Sequence, residues 1–179
     1  MYKVAVVGHS QTPKRIDTRD PNVSVKIFRR SGARLEHINE LPFCEIFDSQ
    51  YDLLVLFLGG NDISAYPEET ERIIYDLKGL LLKCKAVAQE VVYVLIEGRH
   101  YPDNNRFGIT SRVYENCKKR VNRNIRRFLK RQGMRSFNTT DYYFSNNVAR
   151  DGIHFNTAAQ NQLVQKIKDL IYLRTHPRS

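Results

Sequence analysis

Residues 52–58, Asp-Leu-Leu-Val-Leu-Phe-Leu, constrain the fold more than any other stretch. Six consecutive apolar side chains leave no face for water, so a strand built from them must be covered on both sides. Residues 4–7 (VAVV) and 91–96 (VVYVLI) have the same character, and residues 23–28 (VSVKIF) alternate as a second strand would. Between and after these runs the period changes to that of a helix. Residues 67–89 open on Pro67 with Glu68, Glu69 and Glu71 in the first turn, and carry Ile73, Ile74, Leu77, Leu80, Leu81 and Cys84 as a stripe. Residues 112–132 repeat Val113, Cys117, Val121, Ile125 and Phe128, with Phe128 read as buried. A last helix over 157–173 follows Thr157 and Gln160, which form a capping-box pattern. Residues 34–39 suggest a short helix and 137–139 a short fifth strand.

Strands that are apolar throughout and alternate with helices predict a three-layer α/β/α domain. Its mainly parallel sheet would have about five strands in the flavodoxin-like arrangement. One domain is expected over residues 1–179, with 174–179 frayed, the polar segment 11–22 is read as an exposed loop, and 97–108 as a second polar loop over the crevice. In such sheets the ligand crevice opens at the carboxyl ends of the strands. Ser10 follows the first strand, Gly32 the second and Asn61 the third, and His154 precedes the last helix. Four separate polar or glycine features are therefore expected on one rim.

Those residue types suit acyl transfer, which needs a nucleophile, a base, a group to orient the base, and donors for an oxyanion. Ser10 is the candidate nucleophile. His154 is the candidate base, because imidazole is the side chain that exchanges a proton near neutral pH. Asp151, three residues earlier, would orient the imidazole. The backbone N–H groups of Ser10 and Gly32 and the side-chain amide of Asn61 are the candidate oxyanion donors. Gly60 is placed at the substrate, and His9 either contacts substrate or sits on the rim without a chemical role. His100, Tyr101, Arg106 and Phe107, in the loop after the fourth strand, are candidates for shaping an acyl pocket. Asp62 is read as a cap and left out of the catalytic set.

The blocks Gly8-His9-Ser10, Ser31-Gly32, Gly59-Gly60-Asn61-Asp62 and Asp151-Gly152-Ile153-His154 occur in this order. Together they resemble the SGNH subgroup of the GDSL esterases and lipases over nearly the whole chain. The resemblance implies a Ser10–His154–Asp151 triad. It departs from the family pattern at His9, where aspartate is usual, at Gln11, where leucine is usual, and at Phe155 and Ala159 near the histidine block. A Gly-His-Ser variant on a basic domain also resembles the esterase domain in the first open reading frame of some LINE-type retrotransposons. That narrower likeness implies an intracellular ribonucleoprotein setting and hydrolysis of short acyl esters.

Charge is the other informative feature. Of the formal net charge of +10, residues 112–131 carry +8, nine basic residues against Glu115 alone. Such a run is ordinarily a solvated face. Its one-sidedness also suits a phosphate-rich surface, either RNA or anionic lipid, with Lys118, Lys119, Arg123 and Arg127 as the contacts and Tyr114 placed to stack on a base. A second functional class follows from this helix, a nucleic-acid or membrane-surface binding module with little turnover.

Three cysteines without a Cys-x-x-Cys pair disfavour a disulfide or zinc framework, and neither metal nor organic cofactor is expected. Cys84 and Cys117 are assigned to the core. No apolar run approaches the ~20 residues that span a bilayer. Met1-Tyr2-Lys3 leads directly into the first strand, so the chain is read as intracellular or as an excised domain. A small acyl ester is the expected substrate.

Overall fold

The computed structural model describes residues 1–138, 154 and 156–177. Five strands, β1 (Tyr2–Gly8), β2 (Val23–Arg29), β3 (Tyr51–Phe57), β4 (Ala88–Val94) and β5 (Arg135–Phe137), form one sheet in the order β2-β1-β3-β4-β5. Every pairing is parallel. This is the three-layer arrangement expected from the apolar runs, with the strand order in which the chain reverses direction at β1.

The side-chain alternation of each strand divides the core into two layers. Ala5, Val7, Leu54, Leu56, Val91 and Tyr93 face α2 (Thr70–Val87) and α3 (Ser111–Gln132). Val4, Val6, Leu53, Val55, Val92 and Val94 face Leu163, Ile167 and Ile171 of α4 (Thr157–Thr175). The apolar stripe of α2 is buried as its spacing requires. β3 is the central strand, paired with β1 on one side and β4 on the other, and like both of them it fills the two layers.

Local details depart from the sequence pattern where a short side chain or a long-range contact decides. Asn156, not Thr157, caps α4: its side chain accepts the Ala159 N–H at 3.0 Å. A six-residue helix, α1 (Gly60–Ala65), occupies a stretch too short for periodicity to mark. On α3 the buried face includes Tyr114 and Leu129, while Val113 is 42 % exposed. The segment after β1 is not an open loop at its start, since Gln11, Thr12 and Ile16 are buried. Among the described residues no helix is long and apolar enough to cross a membrane.

Candidate active site

The end of β1 is shaped by a close approach of backbones. A Cβ added to Gly8 would lie 2.1 Å from the Phe57 carbonyl oxygen and 2.5 Å from Phe57 Cβ, so only glycine fits between β1 and β3 here. The chain then turns, with His9 N–H donating to Phe57 O at 3.1 Å and Thr12 N–H to His9 O at 3.0 Å. Ser10 stands at the corner of that turn, half-buried. Arg29, the last residue of β2, holds the turn from outside: its Nη2 donates to Ser10 O and its Nε to Thr12 O, both at 3.1 Å.

Ser10 Oγ lies 3.0 Å from His154 Nε2, across 144 positions of sequence. Nucleophile and base candidates are therefore within hydrogen-bond reach. Asp151, the candidate orienting acid, lies outside the described residues.

Gly32 and Asn61 follow the two strands that flank β1, at the same end of the sheet. Gly32 is exposed and has φ 73, in a turn closed by Ala33 N–H donating to Arg30 O at 3.2 Å. That left-handed φ is the reason for glycine at the third turn position. Asn61 lies in the first turn of α1 and donates through Nδ2 to Ala33 O at 3.0 Å. Among the described residues, no acceptor engages the backbone N–H of Ser10 or Gly32, or the second N–H of Asn61. Asp62 ties the two flanking segments together by accepting the Leu35 N–H on both carboxylate oxygens, at 3.1 and 3.3 Å. Burial pushes its carboxyl up to about 7, against the pull of the Leu35 N–H and Arg34.

Several assignments are corrected by burial. His9 is 1 % exposed and points into the protein, so it cannot touch substrate or stand on a rim. Its Nδ1 accepts the Gln11 N–H at 3.1 Å, which leaves Nε2 to carry the ring proton, 3.7 Å from Glu97 Oε1. Burial drives the His9 pKa down to about 4, with Glu97 opposing, so His9 is neutral near pH 7. Gly60 is also buried; a Cβ there would meet Arg99 Nη2 at 2.6 Å and Glu97 Oε1 at 2.8 Å, and it is glycine for that contact rather than for substrate. Tyr114 is fully buried, with its hydroxyl donating to Glu97 O at 2.7 Å, and no base can stack on it.

Of the loop after β4, Tyr101 is buried and shares a hydrogen bond with Ser64. Phe107 packs edge-on against Tyr101 at 5.9 Å and Arg106 lies over the Phe107 ring, while His100 is exposed. Through Ser64, Tyr101 braces α1. Glu97 and Arg99, which were not singled out in the sequence, form the most buried ion pair near the site, with side chains 7 % and 3 % exposed. A carboxylate placed directly after a buried strand, on the same rim as Ser10 and Asn61, is the signal that could have found them. Among the described residues no group of histidine, cysteine, aspartate and glutamate side chains could hold a metal ion.

No family model matches the chain, and no curated protein matches it. Solved structures do. The aryl esterase of M. smegmatis superposes with a TM-score of 0.74 at 15 % identity, covering 96 % of this chain and 98 % of its own. A carbohydrate esterase of family 3 from Talaromyces cellulolyticus gives 0.70 at 15 % identity, with both chains covered completely. An SGNH-hydrolase candidate from Slackia heliotrinireducens gives 0.69 at 14 %, covering 95 % and 98 %. The five-stranded parallel sheet flanked by helices is thus the fold of SGNH hydrolases and esterases.

Proposed function

We propose that this chain is a serine esterase of the SGNH type that hydrolyses short-chain, acetyl-type esters. The observation that carries the reading is the 3.0 Å contact between Ser10 Oγ and His154 Nε2 at the carboxyl end of the sheet. Ser10 Oγ attacks the ester carbonyl while His154 Nε2 takes its proton. Asp151 holds the imidazole in the tautomer that leaves Nε2 free to accept. The oxyanion forms against the N–H groups of Ser10 and Gly32 and the amide of Asn61, whose available hydrogens support that role. The alcohol departs with the proton from His154, and water, deprotonated by the same histidine, then releases the acid from Ser10. The acetyl-type acyl group is in keeping with an acetyl esterase and an acetylxylan esterase that share the fold.

The reading is tested by comparing wild type with Ser10→Ala in p-nitrophenyl acetate hydrolysis and in fluorophosphonate labelling. Hydrolysis well above the Ser10→Ala background is expected, and equal behaviour of the two proteins would end the reading.

A second activity is favoured by one observation. Lys118, Lys119, Arg123, Arg126 and Arg127 line a groove of about 420 Å³ along α3. Glu115 pairs with Lys118 at 2.9 Å and approaches Lys119 at 4.0 Å, while Arg123, Arg126 and Arg127 have no carboxylate partner among the described residues. A concave, cationic surface is suited to phosphate groups, and the narrower retrotransposon likeness would put RNA there. Affinity for single-stranded RNA should then fall steeply between 50 and 200 mM salt, by about tenfold or more if three or four phosphates are contacted. Changing Lys118, Lys119, Arg123 and Arg127 to glutamate should abolish it. Binding that is absent at low salt, or unmoved by those changes, would reject this role and leave α3 as a solvated face.

A further inference from the structure

Building on the esterase reading, we infer that Arg99 is a positioning residue that fixes which end of the Asn61 amide faces the oxyanion. A side-chain amide presents an acceptor at one end and two donors at the other, and only the donor end can serve an oxyanion. Two contacts specify the same orientation. Arg99 Nη1 donates to Asn61 Oδ1 at 3.1 Å, and Asn61 Nδ2 donates to Ala33 O at 3.0 Å. A guanidinium has no acceptor, so the reversed amide would set donors against Arg99 and its oxygen against the Ala33 carbonyl. One Nδ2 hydrogen is thereby used, and the other is held for substrate. The cationic partner on Oδ1 also polarises the amide toward stronger donation.

Arg99 can act this way because its own position is over-determined. Its Nε and Nη2 donate to Glu97 Oε1 at 3.0 and 2.7 Å, and Nη1 also reaches Ser64 Oγ and Tyr101 OH, both at 3.2 Å. Burial by itself would raise the Glu97 carboxyl, but the charge and the hydrogen bonds of Arg99 outweigh it and keep the group lowered. Gly60 supplies the space, since any Cβ there would displace the guanidinium. The same carboxylate oxygen lies 3.7 Å from Nε2 of His9, the residue before Ser10. One buried network thus joins the nucleophile turn to the oxyanion amide. It also gives a structural reason for the histidine that replaces the usual aspartate: a neutral ring neighbours Glu97, where a second carboxylate would repel it.

The test is a double-mutant cycle on p-nitrophenyl acetate hydrolysis with Asn61→Ala, Arg99→Lys and the pair, each checked for folding by urea denaturation. Lysine keeps the charge and loses the planar fork. Arg99→Lys is expected to lower kcat by about 10- to 100-fold with KM changed by less than about threefold. Asn61→Ala should lower kcat by about 100-fold or more, and adding Arg99→Lys should cost almost nothing further. If Arg99→Lys does not fold, the charge-balanced pair Glu97→Gln with Arg99→Met takes its place, with the same expectation. Losses that multiply in the double variant, or a folded Arg99 variant with wild-type kcat, would overturn the positioning role while leaving the esterase intact. A wild type no faster than Ser10→Ala would instead overturn the esterase reading and this inference with it.

Discussion

Replacing His154 with alanine is expected to lower kcat/KM for p-nitrophenyl acetate by about three orders of magnitude or more. His154 is the one imidazole within reach of Ser10 Oγ, at 3.0 Å. His9, although adjacent in sequence, is buried, and its nitrogens are directed at the Gln11 amide and Glu97. The alanine variant therefore has no substitute base. A serine hydroxyl without one is a poor nucleophile at neutral pH, and loss of the base in a serine–histidine pair removes most of the chemistry while leaving the oxyanion donors. Because the proton transfer belongs to the transition state, kcat should fall with kcat/KM and KM should move little. His154 is only half-buried, so the variant should stay folded. A loss below tenfold in steady-state assays would show that His154 is not the base.

The largest stability effect is expected at Glu97. Its side chain is 7 % exposed and that of Arg99 3 %, so Glu97→Ala would leave a guanidinium in the interior with the neutral groups of Asn61, Ser64, Tyr101 and Tyr114 around it. Removing one member of such a pair costs about 3–5 kcal/mol, because the remaining charge loses its compensation but not its burial. His9 would lose its carboxylate neighbour as well. The midpoint of urea unfolding should drop accordingly with the slope unchanged. The charge-balanced pair Glu97→Gln with Arg99→Met should lose much less, since neither charge is then stranded. A single-variant loss under about 1 kcal/mol, the range of exposed ion pairs, would mean that the pair is solvated.

The contrast between these two sites matches what the sequence makes legible. The sheet was readable because residues 4–7, 52–58 and 91–96 leave no polar face, a condition local to each run. The rim positions of Ser10, Gly32 and Asn61 followed from the rule that parallel strands open their crevice at one end. Distance in sequence hid the rest. The His9–Glu97–Arg99–Asn61 network joins three segments, and the contacts that assemble it have no local signature. Burial of Tyr114 depends on Glu97 O and on packing with Tyr101, neither visible from the spacing of α3. In the sequence His9 is only a departure from the family pattern, which has aspartate there. Its meaning changes once Glu97 is known to lie behind it.

Reaction of the folded wild type with a fluorophosphonate, followed by intact-mass analysis and mapping of the adduct, is the most direct test that Ser10 is an activated nucleophile. One phosphonyl adduct per chain on Ser10, absent in Ser10→Ala and much slowed in His154→Ala, is expected. An unlabelled wild type, or an adduct that persists in Ser10→Ala, would contradict it.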